Sequence, residues 1–215
     1  MALNPRPAVP KGGRTAARER GGSTINLGLF GGSFDPPHLA HLALAHAALD
    51  QLKLDRVLWV PVGDPWQKPR KLTAPEHRRA MVELMIAGEP RFALDDCELL
   101  RQGPSYTIDT VEAHLGDNLT LVIGQDQYAH LHTWHRWQEL LPLVTLAVAA
   151  RAGEAVRPNA ELERHPHRVI RLDMPAMTTS STQIRAHASH GEDTSPLVGT
   201  AVAGYIAQHR LYSEQ

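Results

Sequence analysis

The stretch from Leu27 to His41, Leu-Gly-Leu-Phe-Gly-Gly-Ser-Phe-Asp-Pro-Pro-His-Leu-Ala-His, constrains the fold more than any other part of the chain. Its first four residues suit a short buried strand. Gly31 and Gly32 then let the backbone turn sharply and approach a ligand that a Cβ would keep away. Asp35, followed by Pro36 and Pro37, reads as a helix start, an acceptor side chain ahead of residues whose φ is preset. From His38 the spacing of Leu42, Ala45, Leu49 and Leu52 predicts a helix to about Lys53. Strand, glycine loop and helix N-terminus together make an anion site, because free N–H groups and the helix dipole point the same way. A phosphate is the natural guest. His38 and His41, three apart in the first turn, can both face that mouth. Taken alone, a Gly pair is common in loops, and two such histidines are more often capping or solvent-exposed. A zinc site would need a third ligand, and neither a second Cys nor a suitably spaced His or acid stands nearby.

At 215 residues the chain has the size of one domain. An apolar content of 42% against 21% charged residues fits a soluble globular protein. A net charge of −1 gives no bulk attraction to nucleic acid or to an anionic membrane. Cys97 is the one cysteine, which excludes an intramolecular disulfide framework and suits a reducing cytoplasm. No apolar run approaches the roughly 20 residues that span a bilayer. Residues 1–23 are rich in Arg, Gly, Pro and Ala, without strong periodicity or the apolar core of a secretory signal. They are expected to be a disordered tail ahead of a single domain over 24–215.

Beyond the first helix, strands and helices alternate. Strands are expected at Arg56–Val62, Phe92–Asp95, Leu119–Ile123, Val144–Ala150 and Arg168–Leu172. Helices are expected at Pro75–Ala87, Ser105–Leu115 and Trp134–Leu140, from about Ser181, and at Pro196–Gln208. This order predicts an α/β fold with a doubly wound, mostly parallel sheet and right-handed crossovers.

Several further motifs fall where strands end, the side on which open α/β sheets bind ligands. Ser105, Tyr106 and Thr107 open a helix; capping alone accounts for them, but the same N–H groups can hold a carboxylate. Gly124 and Asp126 follow the fourth strand. Trp134 and His135 lie in a polar segment beyond it, and Trp134 suits a platform for a flat ring. Ser180, Ser181 and Thr182 start another helix, with Arg185 one turn in, a second anion site. Two such helix mouths fit a polyphosphate better than either alone.

The run from Gly31 to His41 resembles the signature of the nucleotidylyltransferase superfamily, Gly-Gly-Thr/Ser-Phe-Asp-Pro followed by His-x-Gly-His, with Ala40 where the signature carries glycine. Over Gly28 to Arg185 the ordered blocks resemble the bacterial nicotinate-nucleotide adenylyltransferases, with a Rossmann-like nucleotidylyltransferase fold. That family joins nicotinate mononucleotide to the AMP part of ATP in NAD biosynthesis and releases pyrophosphate. The resemblance implies ATP binding by Gly31, Gly32, Ser33, Phe34, His41, Gly124, Asp126, Ser180, Ser181, Thr182 and Arg185. It implies acceptor binding by Ser105, Tyr106, Thr107, Trp134 and His135, with the pyridine carboxylate on backbone amides. The loop Asp64-Pro65-Trp66-Gln67-Lys68 departs from the commoner family form but keeps a cation at Lys68.

The acceptor phosphate is already ionised, so no side-chain nucleophile is needed. His38, His41, Lys68 and Arg185 are expected to align the reactants and balance charge on the departing pyrophosphate. Mg²⁺ is expected with ATP, held by phosphates and water, with no protein metal site. The expected partners are these small molecules, without nucleic acid or membrane, in a cytoplasmic protein for which the sequence leaves room for a homo-oligomer. Two alternatives stay open: adenylylation of another phosphorylated acceptor such as phosphopantetheine, and a nucleotide-binding regulator without turnover.

Overall fold

The opening strand, turn and helix form β1 (Asn26–Gly32) and α1 (Leu39–Gln51) in the computed structural model, which describes residues 24–64, 71–151, 155–175 and 177–213. The expected tail and Lys68 lie outside the described residues. Five more strands follow: β2 (Arg56–Pro61), β3 (Phe92–Leu94), β4 (Asn118–Gly124), β5 (Thr145–Arg151) and β6 (Arg168–Met174). Every neighbouring pair is parallel, in the order β3-β2-β1-β4-β5-β6. The fold is thus the α/β, doubly wound parallel sheet expected from the alternation. The order reverses between β1 and β4, so a crevice opens beyond their C-terminal ends, where Gly32 and Gly124 lie.

Period-two alternation explains how one sheet carries two cores. Leu27 and Leu29 of β1, Leu119, Leu121 and Ile123 of β4, and Leu146 and Val148 of β5 pack on one face with Ile108, Val111 and Leu140. Phe30, Val57, Trp59, Val122 and Ala147 point the other way, against Leu44, Ala48, Met81, Val82, Ile184, Val202 and Ile206. The helices are α2 (Pro75–Ile86), α3 (Cys97–Leu100), α4 (Thr107–Ala113), α5 (Gln125–Ala129), α6 (Trp137–Leu140), α7 (Ser181–Ser189), α8 (Ser195–Val198) and α9 (Thr200–Gln208). At the outer edge of the sheet, β6 leaves Val169 and Ile170 exposed. There the Gln51 side-chain amide donates to the Asp173 carbonyl at 3.0 Å and accepts the Asp173 N–H at 3.1 Å.

Three local expectations are corrected. The helix expected over 134–140 begins only at Trp137: Trp134 is extended (ψ 148°) after a 3-10 turn at Leu131–Thr133, and Arg136 takes a left-handed φ of +53° that ends any continuous helix. The helix expected over 196–208 is split at Gly199, whose φ of +79° separates α8 from α9. Asp35 does not cap α1. His38 is the N-cap, and Asp35 turns into the interior instead.

Under the β3–α4 region, the His114 Nε2 lies 3.1 Å from an Asp95 carboxylate oxygen, and its Nδ1 is 2.8 Å from the Thr110 carbonyl. The hydrogen bond to Asp95 raises the His114 pKa above its ordinary 6.5 against the opposing effect of burial. Burial would raise Asp95, but hydrogen bonds from His114 and the Cys97 N–H outweigh it and hold the carboxyl low. Stability from the raised histidine is fully present below pH 6.5 and is lost as pH rises through its folded value. Stability from the lowered carboxyl is lost as pH falls through its own folded value. Urea denaturation of the wild type and His114→Asn across pH 6 to 9 checks this: the gap between them should be widest near pH 6 and narrow steadily upward.

Candidate active site

The first turn of α1 is built by an exchange between its two histidines. The His38 backbone N–H donates to the His41 Nδ1 at 3.2 Å, and the His38 carbonyl accepts the His41 N–H at 2.9 Å. The rings stack with centroids 3.6 Å apart. With Nδ1 accepting, the proton of a neutral His41 ring sits on Nε2, leaving that edge a donor. The His41 ring also meets Phe30 and Phe34 edge-on or tilted, at 5.9 and 5.2 Å. Both imidazoles were expected at the mouth, but they differ in burial. His41 is half-buried, whereas His38 is only 6% exposed, and its Nδ1 is buried without a hydrogen-bond partner among the described residues. Burial lowers the His38 pKa to about 4, so at neutral pH it offers hydrogen bonds rather than a positive charge.

The glycine loop is held by a residue that the sequence reading passed over. Arg78 is 1% exposed on α2; its guanidinium donates to the carbonyls of Ser33 (3.0 Å), Val62 (2.8 Å) and Thr73 (2.9 Å). Three carbonyls from three segments satisfy one buried cation, fixing the ends of β1 and β2 against the start of α2. The signal was present: Arg78 stands at i, with Met81 and Met85 at i+3 and i+7, a charge in a core stripe. Phe34 follows Ser33 with a left-handed φ of +46° and a ring 1% exposed. A Cβ on Gly32 would lie 3.0 Å from that ring, so glycine is needed there for close packing.

The second expected helix mouth sits beside the first. Ser180 caps α7 by accepting the Gln183 N–H at 3.2 Å. The Ser181 hydroxyl donates to the Pro36 carbonyl at 2.9 Å, and the Arg185 guanidinium donates to the Asp35 carbonyl at 2.9 Å and to the Thr182 hydroxyl at 3.2 Å. The N-termini of α1 and α7 therefore adjoin, linked across about 145 residues of sequence. Gly124 is the N-cap of α5 at the end of β4, open on the side where a Cβ would stand, and Asp126 is exposed in the first turn. Gln125 is pinned to the Arg157 backbone at 2.7 and 3.2 Å.

The acceptor-side residues gather at the neighbouring strand end. The Ser105 N–H donates to the Asp64 carbonyl at 3.1 Å, beside a bridge between Asp64 and Pro104. A Cβ on Gly63 would collide with the Glu98 carbonyl and lie 2.8 Å from the Ser105 hydroxyl, so only glycine lets these segments close. The Ser105 hydroxyl is buried and has no hydrogen-bond partner among the described residues. Tyr106 is the N-cap of α4, with Thr107 the first residue of that helix. The Tyr106 ring stacks on His135 at 4.1 Å and 28°, while half-buried Trp134 packs against the same core. Nothing in the local spacing of Tyr106 and His135 signals this stack.

This is a mononucleotide-handling α/β architecture: a parallel sheet whose switch point carries a glycine loop and two adjoining helix mouths. Residues 29–187 match the family model described as Cytidylyltransferase-like. A protein of Methylibium petroleiphilum named as a probable nicotinate-nucleotide adenylyltransferase is 50% identical over 87% of this chain and 92% of its own. One of Bordetella petrii with the same name is 46% identical over 86% of this chain and 98% of its own. The solved structure of Plasmodium falciparum nicotinic acid mononucleotide adenylyltransferase complexed with NaAD has a TM-score of 0.69 at 20% identity. It covers 87% of this chain and 97% of that one, and shows the fold. The chain belongs to the nicotinate-nucleotide adenylyltransferases within that cytidylyltransferase-like family.

The burial of His38 is directly measurable. In an NMR titration of the free protein its ring protons should move with a midpoint near 4, against the ordinary 6.5.

Proposed function

We propose that this protein transfers the AMP part of ATP to nicotinate mononucleotide, forming nicotinate adenine dinucleotide and pyrophosphate. The observation that carries the reading is the joining of the α1 and α7 mouths by Ser181–Pro36 and Arg185–Asp35 hydrogen bonds beside the glycine loop. Their N–H groups and dipoles favour one extended polyanion. The names of the relatives support the choice of acceptor.

In this reading Gly31, Gly32, Ser33 and Phe34 shape the floor under ATP, and Gly124 and Asp126 border the nucleotide at the other side of the crevice. The α7 start, with Ser180, Ser181, Thr182 and Arg185, receives the β- and γ-phosphates. Lys68, which lies outside the described residues, keeps the cation that the family resemblance implies. The acceptor phosphate attacks the α-phosphorus in line, the bond to the bridging oxygen breaks, and the electron pair leaves with pyrophosphate; no protein nucleophile or general base is required. His41 donates from Nε2 to the oxygens that gain charge in the transition state. His38, neutral before ATP arrives, supplies a hydrogen bond, and an anion at the mouth favours its protonation. Magnesium is read as entering with the ATP substrate, with phosphate oxygens and water as its ligands.

At the acceptor side, N–H groups of Tyr106 and Thr107 face the pyridine carboxylate, with Ser105 nearby and Trp134 and His135 flanking the ring. An amide there would leave a buried donor unpaired, at a cost of roughly 1–3 kcal/mol. No described helix is long and apolar enough to cross a membrane; the single cysteine, Cys97, is the ground on which we place the enzyme in a reducing cytoplasm.

A pyrophosphate-release assay with MgATP and a panel of phosphorylated acceptors tests the reading. Nicotinate mononucleotide should give the highest kcat/KM, above its amide counterpart and above phosphopantetheine; turnover with phosphopantetheine alone, or with no acceptor, rejects it. In the same assay His41→Ala should lower kcat by about 10²–10³ with a smaller change in KM, the pattern of a lost transition-state contact.

A further inference from the structure

The end of the chain returns to the nucleotide loop. After α9 the backbone passes through Arg210 at φ +49° and Tyr212 at φ +67°, left-handed conformations that non-glycine residues adopt at a cost. This turn aims the Tyr212 phenol at Asp35, donating to its Oδ1 at 2.8 Å across 177 residues of sequence. The other oxygen, Oδ2, accepts the Thr73 N–H at 3.2 Å, and the Thr73 side chain also hydrogen-bonds the phenol. Burial, and after it the adjacent carboxylate, push the Tyr212 pKa up, so the phenol keeps its proton. Asp35 is 1% exposed, and its backbone carbonyl is the one that Arg185 holds. Phe34, immediately before it, has the third left-handed φ of this region. Strained residues thus converge on one carboxylate from both ends of the chain.

We propose that Tyr212 is a positioning residue for the triphosphate side of the site, acting through Asp35. The phenol fixes the carboxylate, and the carboxylate fixes the Asp35–Pro36 backbone. The two carbonyls there set where Arg185 and Ser181 stand, and so how the mouth of α7 meets that of α1. Removing the hydroxyl loosens this chain of contacts while the Tyr212 ring can keep its packing against the core around α1 and α2. The acceptor residues on α4 lie on the other face of the sheet and are not part of it. The inference rests on the reading of the α1 and α7 mouths as the ATP site.

The test compares wild type with Tyr212→Phe. ATP affinity is measured by calorimetry without acceptor, KM and kcat by pyrophosphate release, and stability by the urea midpoint. ATP binding should weaken about tenfold, because the two carbonyls no longer hold Arg185 and Ser181 in one place. The KM for nicotinate mononucleotide should stay within about twofold, while the midpoint should fall modestly, because a buried carboxylate loses one donor. Asp35→Asn and the double variant complete a cycle: if Tyr212 acts through Asp35, the double variant binds ATP no worse than Asp35→Asn alone. Unchanged ATP affinity in Tyr212→Phe overturns the proposal. So does an additive cycle, or an equal loss for both substrates, which marks a merely structural residue. Because calorimetry needs no turnover, a wild type that binds ATP but releases no pyrophosphate rejects the reaction and leaves the Tyr212 comparison intact; one that binds no ATP rejects both.

Discussion

The site depends on bringing two helix N-termini together. Each carries roughly half a positive charge at its free N–H groups, so their approach is unfavourable until something negative lies between them. Here backbone carbonyls of the intervening loop do so, accepting from Ser181 and Arg185 of α7. The same loop is anchored from below by Arg78, which gathers the Ser33, Val62 and Thr73 carbonyls. Guanidinium groups therefore brace the loop at Ser33 and at Asp35, leaving a preorganised concentration of N–H donors at the crevice. Such a place has little reorganisation left to perform when an anion arrives, which is the condition for strong electrostatic stabilisation of a transition state.

Much of this was legible in the residues. The alternation of apolar strands with amphipathic helices specified a parallel sheet, and the Gly31-Gly32 turn located its crevice. The Ser180–Arg185 segment announced its own helix cap and cation. What stayed hidden was long-range. Asp35 looked like an N-cap because Asp before Pro-Pro has the local chemistry of one. Its partners, Thr73 and Tyr212, stand 38 and 177 residues away and outcompete the local choice. Arg78 was hidden inside an amphipathic pattern that counted only its apolar members. The Trp134 helix failed because Arg136 adopts a left-handed conformation that no propensity assigns to arginine. The stack of Tyr106 on His135 joins residues 29 apart on separate elements, beyond any local pattern.

Burial of His38 divides labour within a motif that reads as two equivalent imidazoles. Loss of water keeps His38 uncharged, while His41, stacked on it at 3.6 Å, receives a backbone N–H on one nitrogen and presents the other as a donor. Two imidazolium rings at that separation would repel each other and the dipole of their own helix. Keeping one neutral lets both occupy the first turn, and leaves the positive potential of the site to be set mainly by arginine and by the peptide dipoles.

The Gln51 contact at the sheet margin has a consequence for the protein's behaviour in a crowded solution. An edge strand with no strand on its outer side among the described residues, carrying exposed Val169 and Ile170, is a template on which a foreign strand can grow. A side-chain amide mimics a peptide group, and by taking both the N–H and the C=O of Asp173 it occupies one docking position of that template. Growth along the margin would have to displace a partner supplied by the chain itself, so the last helical residue of α1 also guards against fibrillar association.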